Sequence, residues 1–177
     1  MTCFVTVGTT IFEDLINEVL TDVNIENLKS IGVSKILLQI GKGNFRNEVI
    51  DRVFKESTLD KGGKVKYNDI IIEYYRYKPS LSEDMENARI VIGHAGAGTC
   101  LEVLKLQKPL IVVINELLMD NHQAELAVAL SDNAHLLYCT PFSLAQTIKN
   151  PGLFTLIPFL PLSQKRVARF IDKRMGI

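Results

Sequence analysis

The chain is poor in several things, and each shortage closes a class of function. It has no excess charge of either sign, with 20 Lys and Arg against 20 Asp and Glu. Bulk electrostatics therefore give no case for nucleic-acid binding. It has no long apolar run: stretches such as Leu110-Ile111-Val112-Val113-Ile114 fall far short of the ~20 residues that span a bilayer. Nothing near the start reads as a signal peptide, because Phe4-Val5-Thr6-Val7 runs directly into a glycine turn. Cysteines are few and odd in number, and Cys3, Cys100 and Cys139 are scattered through expected strand and helix. That is the pattern of buried thiols in a reducing compartment, not of a disulfide framework. His94, His122 and His135 show no metal-ligand spacing and the cysteines are elsewhere, so no metal site is expected. A cytosolic protein, or one held at a membrane by something else, is the expectation.

What is present suits one sizeable α/β domain. At 177 residues, 47% hydrophobic and 23% charged, the chain is long enough for one such unit and short for two. Strand expectations are Cys3 to Val7, Lys35 to Ile40, Asp69 to Tyr77, Ala88 to Ile92, Leu110 to Ile114 and His135 to Cys139. Between them stand helical patterns at Phe12 to Leu20, Ser82 to Asn87, Leu101 onward, Gln123 to Leu130 and after Pro141. The stretch from Phe45 to Asn68 reads as a short helix and then a polar loop, with Lys61-Gly62-Gly63-Lys64 its clearest turn. Alternating strands and helices predict a single Rossmann-like domain over residues 1–150 with a parallel sheet covered on both faces. Residues 151–177 differ. A run broken by Pro151, Pro158 and Pro161 leads into a basic amphipathic helix carrying Lys165, Arg166, Arg169, Lys173 and Arg174. That helix either packs back on its own domain or straps the chain to a partner or membrane surface.

Three glycine turns follow expected strands: Gly8-Thr9-Thr10, Gly41-Lys42-Gly43, and Gly93 through Gly96 and Gly98 to Thr99. In an open parallel sheet they must crowd the carboxyl edge, where such folds bind ligands. The last is the most informative, because His94-Ala95-Gly96-Ala97-Gly98-Thr99 opens directly into a helix. Free amides, a helix dipole and side-chain-free backbone make an anion site there. Thr10 with Glu13, and Thr99 with Glu102, have the spacing of capping boxes. The familiar phosphate motifs do not match. Gly41-Lys42 is followed by Gly43 where a P-loop needs Ser or Thr. The dinucleotide fingerprint fits Gly96 and Gly98, but Leu101 occupies its third glycine position.

Two readings stay open at several positions. Glu102 either caps its helix or accepts hydrogen bonds from a ribose diol. His94 either holds its turn through a ring N–H or reaches a phosphate or sugar hydroxyl. The cluster Asp120-Asn121-His122-Gln123 either caps the following helix or reads sugar hydroxyls, which need donors and acceptors together. Phosphate turns beside a hydroxyl-reading cluster point to a nucleotide-sugar.

The motifs Phe4-Val5-Thr6-Val7-Gly8-Thr9-Thr10, Leu38-Gln39-Ile40-Gly41-Lys42-Gly43, His94 to Glu102, Lys108 to Glu116 and Met119 to Ala127, in that order, resemble a known family. They are similar to the catalytic subunits of the eukaryotic bipartite UDP-N-acetylglucosamine transferases of dolichol-linked oligosaccharide synthesis, which resemble the C-terminal half of glycosyltransferase family 28, of GT-B architecture. The resemblance implies an inverting enzyme that moves GlcNAc from UDP-GlcNAc to GlcNAc-diphosphate-dolichol on the cytosolic face of the endoplasmic reticulum. It implies that Gly8, Thr9, Thr10, Gly96, Ala97, Gly98 and Thr99, flanked by His94 and Ala95, hold the diphosphate. Glu102 would take the ribose, and Asn121, His122 and Gln123 the sugar. It implies no metal and no cofactor, the nucleotide-sugar being a substrate, and a membrane-anchored subunit that completes a heterodimer and binds the lipid-linked acceptor. No residue stands out as the catalytic base, which that partner is free to supply. Two other classes fit the same residues: a non-catalytic nucleotide-sugar-binding module, and a self-sufficient soluble transferase.

Overall fold

The computed structural model describes residues 1–43, 48–54, 62–115 and 121–159. Its elements run in the order β1 (Thr2–Thr6), α1 (Glu13–Val19), α2 (Asp22–Ser30), β2 (Lys35–Gln39), α3 (Glu48–Phe54), β3 (Gly62–Tyr67), β4 (Ile70–Tyr75), α4 (Ser82–Asn87), β5 (Ile90–His94), α5 (Ala97–Lys105), β6 (Leu110–Val113), α6 (Asn121–Asp132), β7 (Leu137–Cys139) and α7 (Leu144–Ile148). The strands form one seven-stranded sheet ordered β3-β4-β2-β1-β5-β6-β7.

The centre of the sheet is parallel and buried on both faces, which is why its strands read as unbroken apolar runs. Alternate residues feed two cores. Cys3, Val5, Leu38 and Ile92 face α1, α2 and α7, while Phe4, Val91 and Val112 face α4, α5 and α6. The sheet order changes direction around β1, so the carboxyl ends of β1, β2, β4 and β5 open onto one crevice.

Four expectations are corrected. The sheet is not wholly parallel, since β3 pairs antiparallel with β4. Gly62-Gly63-Lys64 begins that strand and is no turn; the reversal comes at Asn68-Asp69, both left-handed at φ 46° and 64°. This strand is polar because it is an edge, so a search for apolar runs passes over it. Its Lys64 reaches across to Glu73 at 2.7 Å, and Lys35 meets the same carboxylate from the other side. Between Leu20 and Lys35, where the sequence reading has no element, lies α2, started by the Thr21 side chain accepting from the Asn24 amide at 3.3 Å. Neither expected capping box forms. The residue before α1 is Phe12 and the one before α5 is Gly96, and no side chain caps either helix.

Residues 151–159 pack onto the domain. A 3-10 turn over Pro151–Phe154 buries Leu153 completely, and Arg89 lies 5.0 Å over the Phe154 ring. The Ile157 amide donates to the Ala134 carbonyl at 2.8 Å. The amphipathic helix expected from Ser163 lies outside the described residues. Among the described residues no helix is long and apolar enough to cross a membrane, and no three His, Cys, Asp or Glu side chains gather as a metal site.

Candidate functional site

The site starts from the ends of three adjacent strands. Thr6 closes β1, and its buried hydroxyl donates to Gln39 Oε1 at 2.6 Å. The chain then turns through Gly8 at φ +60°, a conformation that L side chains adopt only at a cost. Gln39, at the end of β2 and 1% exposed, clamps that turn. Its Oε1 also accepts from the Gly8 amide at 2.8 Å, and its Nε2 donates to the carbonyls of Gly8 at 2.9 Å and Arg76 at 2.8 Å. Arg76 in turn donates to the carbonyls of Gly41 at 3.0 Å and Gly43 at 3.1 Å. Two of the three glycine turns are thus wired together by two side chains that the sequence reading did not single out. Gln39 follows the apolar run Ile36-Leu37-Leu38; a polar residue ending a buried strand was the available signal.

β5 ends in His94, whose imidazole is wedged between the first and third glycine turns. A Cβ on Gly8 would stand 2.5 Å from His94 Cε1, and one on Gly96 would stand 2.3 Å from Nε2. Both positions are glycine because the ring occupies the space. Burial holds the imidazole below its ordinary value, while the Thr6 backbone pulls the other way. The ring is therefore neutral at physiological pH. Nδ1 is buried and makes no hydrogen bond to any described residue. His94 fills the space between the two turns, with the Thr6 backbone beside its ring.

From Gly96 the chain enters α5. The amides of Ala97, Gly98 and Thr99 lie in its first turn, where no intrahelical carbonyl can reach them, and no side chain caps them. Gly98 is the most open point: a Cβ there would meet nothing within 4 Å. It lines a cavity of about 320 Å³ together with Gly8, Thr9, Gly96 and Thr99. His94 and Gln39 line it too, as do Tyr77, Lys78 and Leu81 from the segment between β4 and α4. An anion placed there meets unsatisfied donors and the positive end of a nine-residue helix.

The other expected site residues fall in different places. The Thr10 amide and hydroxyl both donate to the Val7 carbonyl, at 3.2 and 2.8 Å, so Thr10 closes the first turn. The Gly8 amide is held by Gln39, and Ala95 is buried beneath the third turn. Glu102 does not cap its helix; its carboxylate accepts from the Ser82 hydroxyl at the start of α4. The cap reading of Glu102 therefore falls, and Ser82 emerges as its partner. Asn121, His122 and Gln123 begin α6, and their side chains lie outside what the structure describes, as does Asp120.

An open, mostly parallel sheet with a glycine-lined cavity at its carboxyl edge defines a Rossmann-like domain. Its fold is that of one half of the GT-B transferases. It superposes on MurG of Acinetobacter baumannii with a TM-score of 0.62 at 20% identity, covering 98% of this chain and 52% of that one. A solution structure of ALG13 gives a TM-score of 0.71 at 24% identity, covering 96% and 94%. The chain belongs to the glycosyltransferase family 28 C-terminal domain family, whose model matches residues 2–155. Among its relatives is the human UDP-N-acetylglucosamine transferase subunit ALG13, 46% identical over 137 residues, which are 77% of this chain and 11% of that protein. The protein of the same name from Yarrowia lipolytica is 37% identical over 138 residues, 77% of this chain and 64% of its own length. The chain thus spans about a tenth of the human and mouse relatives it matches.

Proposed function

We propose that this chain is the donor-binding subunit of an inverting N-acetylglucosaminyltransferase that takes UDP-GlcNAc as donor and GlcNAc-diphosphate-dolichol as acceptor. The observation that carries the reading is the uncapped first turn of α5, with Gly98 facing the cavity that His94 and Gln39 also line. The diphosphate lies against the amides of Ala97, Gly98 and Thr99, with Gly8 and Thr9 opposite. The ribose diol engages Glu102, which Ser82 already orients. Asn121, His122 and Gln123, where α6 begins, take the sugar hydroxyls.

In the transfer step the acceptor hydroxyl oxygen forms a bond to the anomeric carbon from the face opposite the leaving group. The bond from that carbon to the β-phosphate oxygen breaks, and its electron pair leaves with UDP. The acceptor proton passes to a general base. Charge therefore grows on the diphosphate in the transition state. Fixed amides and a helix N-terminus stabilise it without reorganising and without a metal. GT-B enzymes react between two domains, and this chain supplies one. The acceptor half, with the base, comes from a membrane-anchored partner that recruits the chain to the cytosolic face of the endoplasmic reticulum. The relatives' description as a transferase subunit supports this.

Titration of the full chain with UDP-GlcNAc, followed by transfer assays with and without a membrane fraction containing the partner, tests the proposal. Binding by the chain alone with turnover only in the mixture is expected. Binding without turnover in any mixture would make it a non-catalytic module. Glu102→Ala is expected to weaken UDP binding by ~1–3 kcal/mol; unchanged affinity in the folded variant would remove Glu102 from the ribose site.

A further inference from the structure

Among the described residues that line the donor cavity, one carries a formal charge: Lys78. Its ammonium is held in place. Nζ donates to both carboxylate oxygens of Asp84, each at 2.8 Å, and lies 4.3 Å from the centroid of the Tyr75 ring. Asp84 is buried on the inner side of α4 and also accepts a hydrogen bond from the Tyr75 hydroxyl. Burial, with the hydrogen bond and charge of Asp84, holds the Tyr75 phenol well above its usual range, so it remains a donor to that carboxylate.

An ammonium has three donors, and two of them face Asp84. Beyond Asp84 and the Tyr75 ring face, no hydrogen-bond acceptor among the described residues takes the third, on a side chain that is 42% exposed and part of the cavity wall. Asp84 cannot turn to follow it, because Tyr75 and the buried face of α4 fix the carboxylate. The result is an ammonium held in place beside a cavity that the N-terminal residues of α5 also line. The ammonium N–H and the helix N-terminus both offer donors suited to an anionic ligand.

Resting on the nucleotide-sugar reading above, we propose that Lys78 binds the donor's diphosphate directly, with Asp84 and Tyr75 as the residues that position it. Lys78 supplies the side-chain charge that a wall of amides lacks. The α4 turn then serves the site twice, orienting Glu102 through Ser82 and Lys78 through Asp84.

The test is calorimetric titration of the full chain with uridine, UMP and UDP at low and high salt. The variants are Lys78→Met, Lys78→Arg and the pair Lys78→Met with Asp84→Asn. The pair avoids leaving the Asp84 carboxylate without its cation, and circular dichroism confirms that it folds. Expected is a loss of about tenfold for UDP in both Met variants, a smaller loss for UMP and none for uridine, with Arg restoring most of the affinity. The salt dependence of UDP binding should flatten in the Met variants. Unchanged UDP affinity in the folded pair overturns the proposal. So does an equal loss for uridine and UDP, which would place Lys78 on the base or in the scaffold. A wild-type chain that binds no UDP would instead overturn the donor-site reading itself.

Discussion

The two walls of the cavity are built on opposite plans. The β5–α5 wall is small residues and backbone: Gly96, Gly98 and Thr99, with a neutral imidazole packed beside them. The β4–α4 wall, with Tyr77 and Lys78, is large, polar and braced from behind: Lys78 joins Tyr75 and Asp84 in one network, and Ser82 joins Glu102 of α5 in another. The first wall offers groups that cost little to order, because helix geometry already aims them. The second must freeze long side chains, and does so by giving each a partner. Substitutions should separate the two plans.

The largest effect is expected at Gln39, the clamp on the Gly8 turn. Gln39→Leu keeps the volume but leaves the Gly8 amide, the Gly8 and Arg76 carbonyls and the Thr6 hydroxyl without that partner. A loss of roughly 3–5 kcal/mol in urea unfolding is expected, since each orphaned buried group costs about 1–3 kcal/mol and they do not simply add. A loss under ~1 kcal/mol would show that the turns hold themselves.

Next is Gly8→Ala, which meets a positive φ and the His94 ring at 2.5 Å. It should cost about 1–3 kcal/mol, with the His94 ring resonances displaced in NMR spectra. Gly98→Ala is the contrast on the same wall. With open space around its Cβ and a place inside a helix, it should leave stability unchanged or raise it by up to ~1 kcal/mol. Yet it should weaken UDP binding measurably, because the methyl enters the cavity. If Gly98→Ala binds UDP as well as the wild type, the ligand does not approach the backbone there.

The smallest effect is at the polar edge. Hydrogen bonds from Lys35 and Lys64 hold the Glu73 carboxyl below its ordinary value against the opposing effect of burial. A depressed folded value means the contribution is present above about pH 4.5 and lost as pH falls through the folded value. Glu73→Gln should therefore cost under ~1 kcal/mol at neutral pH, solvent screening being considerable at this edge. Its unfolding curve should merge with that of the wild type in strong acid. A difference that persists there would assign the effect to packing.

The two walls also differ in how far they can be read without a structure. The small-residue wall is continuous in the chain, so Gly93 to Thr99 declares itself as strand, turn and helix start. The cross-linked wall joins β4, α4 and α5, and neither Ser82 with Glu102 nor Lys78 with Asp84 stands out as a pair in a linear reading. The capping boxes failed for a related reason. Thr99 and Glu102 have the right spacing, but the helix begins earlier, at Ala97, which places Thr99 inside it and turns Glu102 toward α4. β3 escaped notice because an edge strand with one wet face needs no apolar pattern, only a partner.

The order of elements, the burial of the central strands and the placing of glycine turns at the carboxyl edge were determined by the sequence itself. Hydrophobic periodicity and backbone permissiveness act over a few residues, so they are written locally. Which polar side chains meet was decided only by tertiary structure. Gln39 clamps Gly8, His94 fills the gap between two glycines, and Asp84 aims Lys78, each across elements far apart in the chain. Hydrogen bonds and ion pairs depend on distances of a few ångströms, and only the folded sheet brings those groups that close.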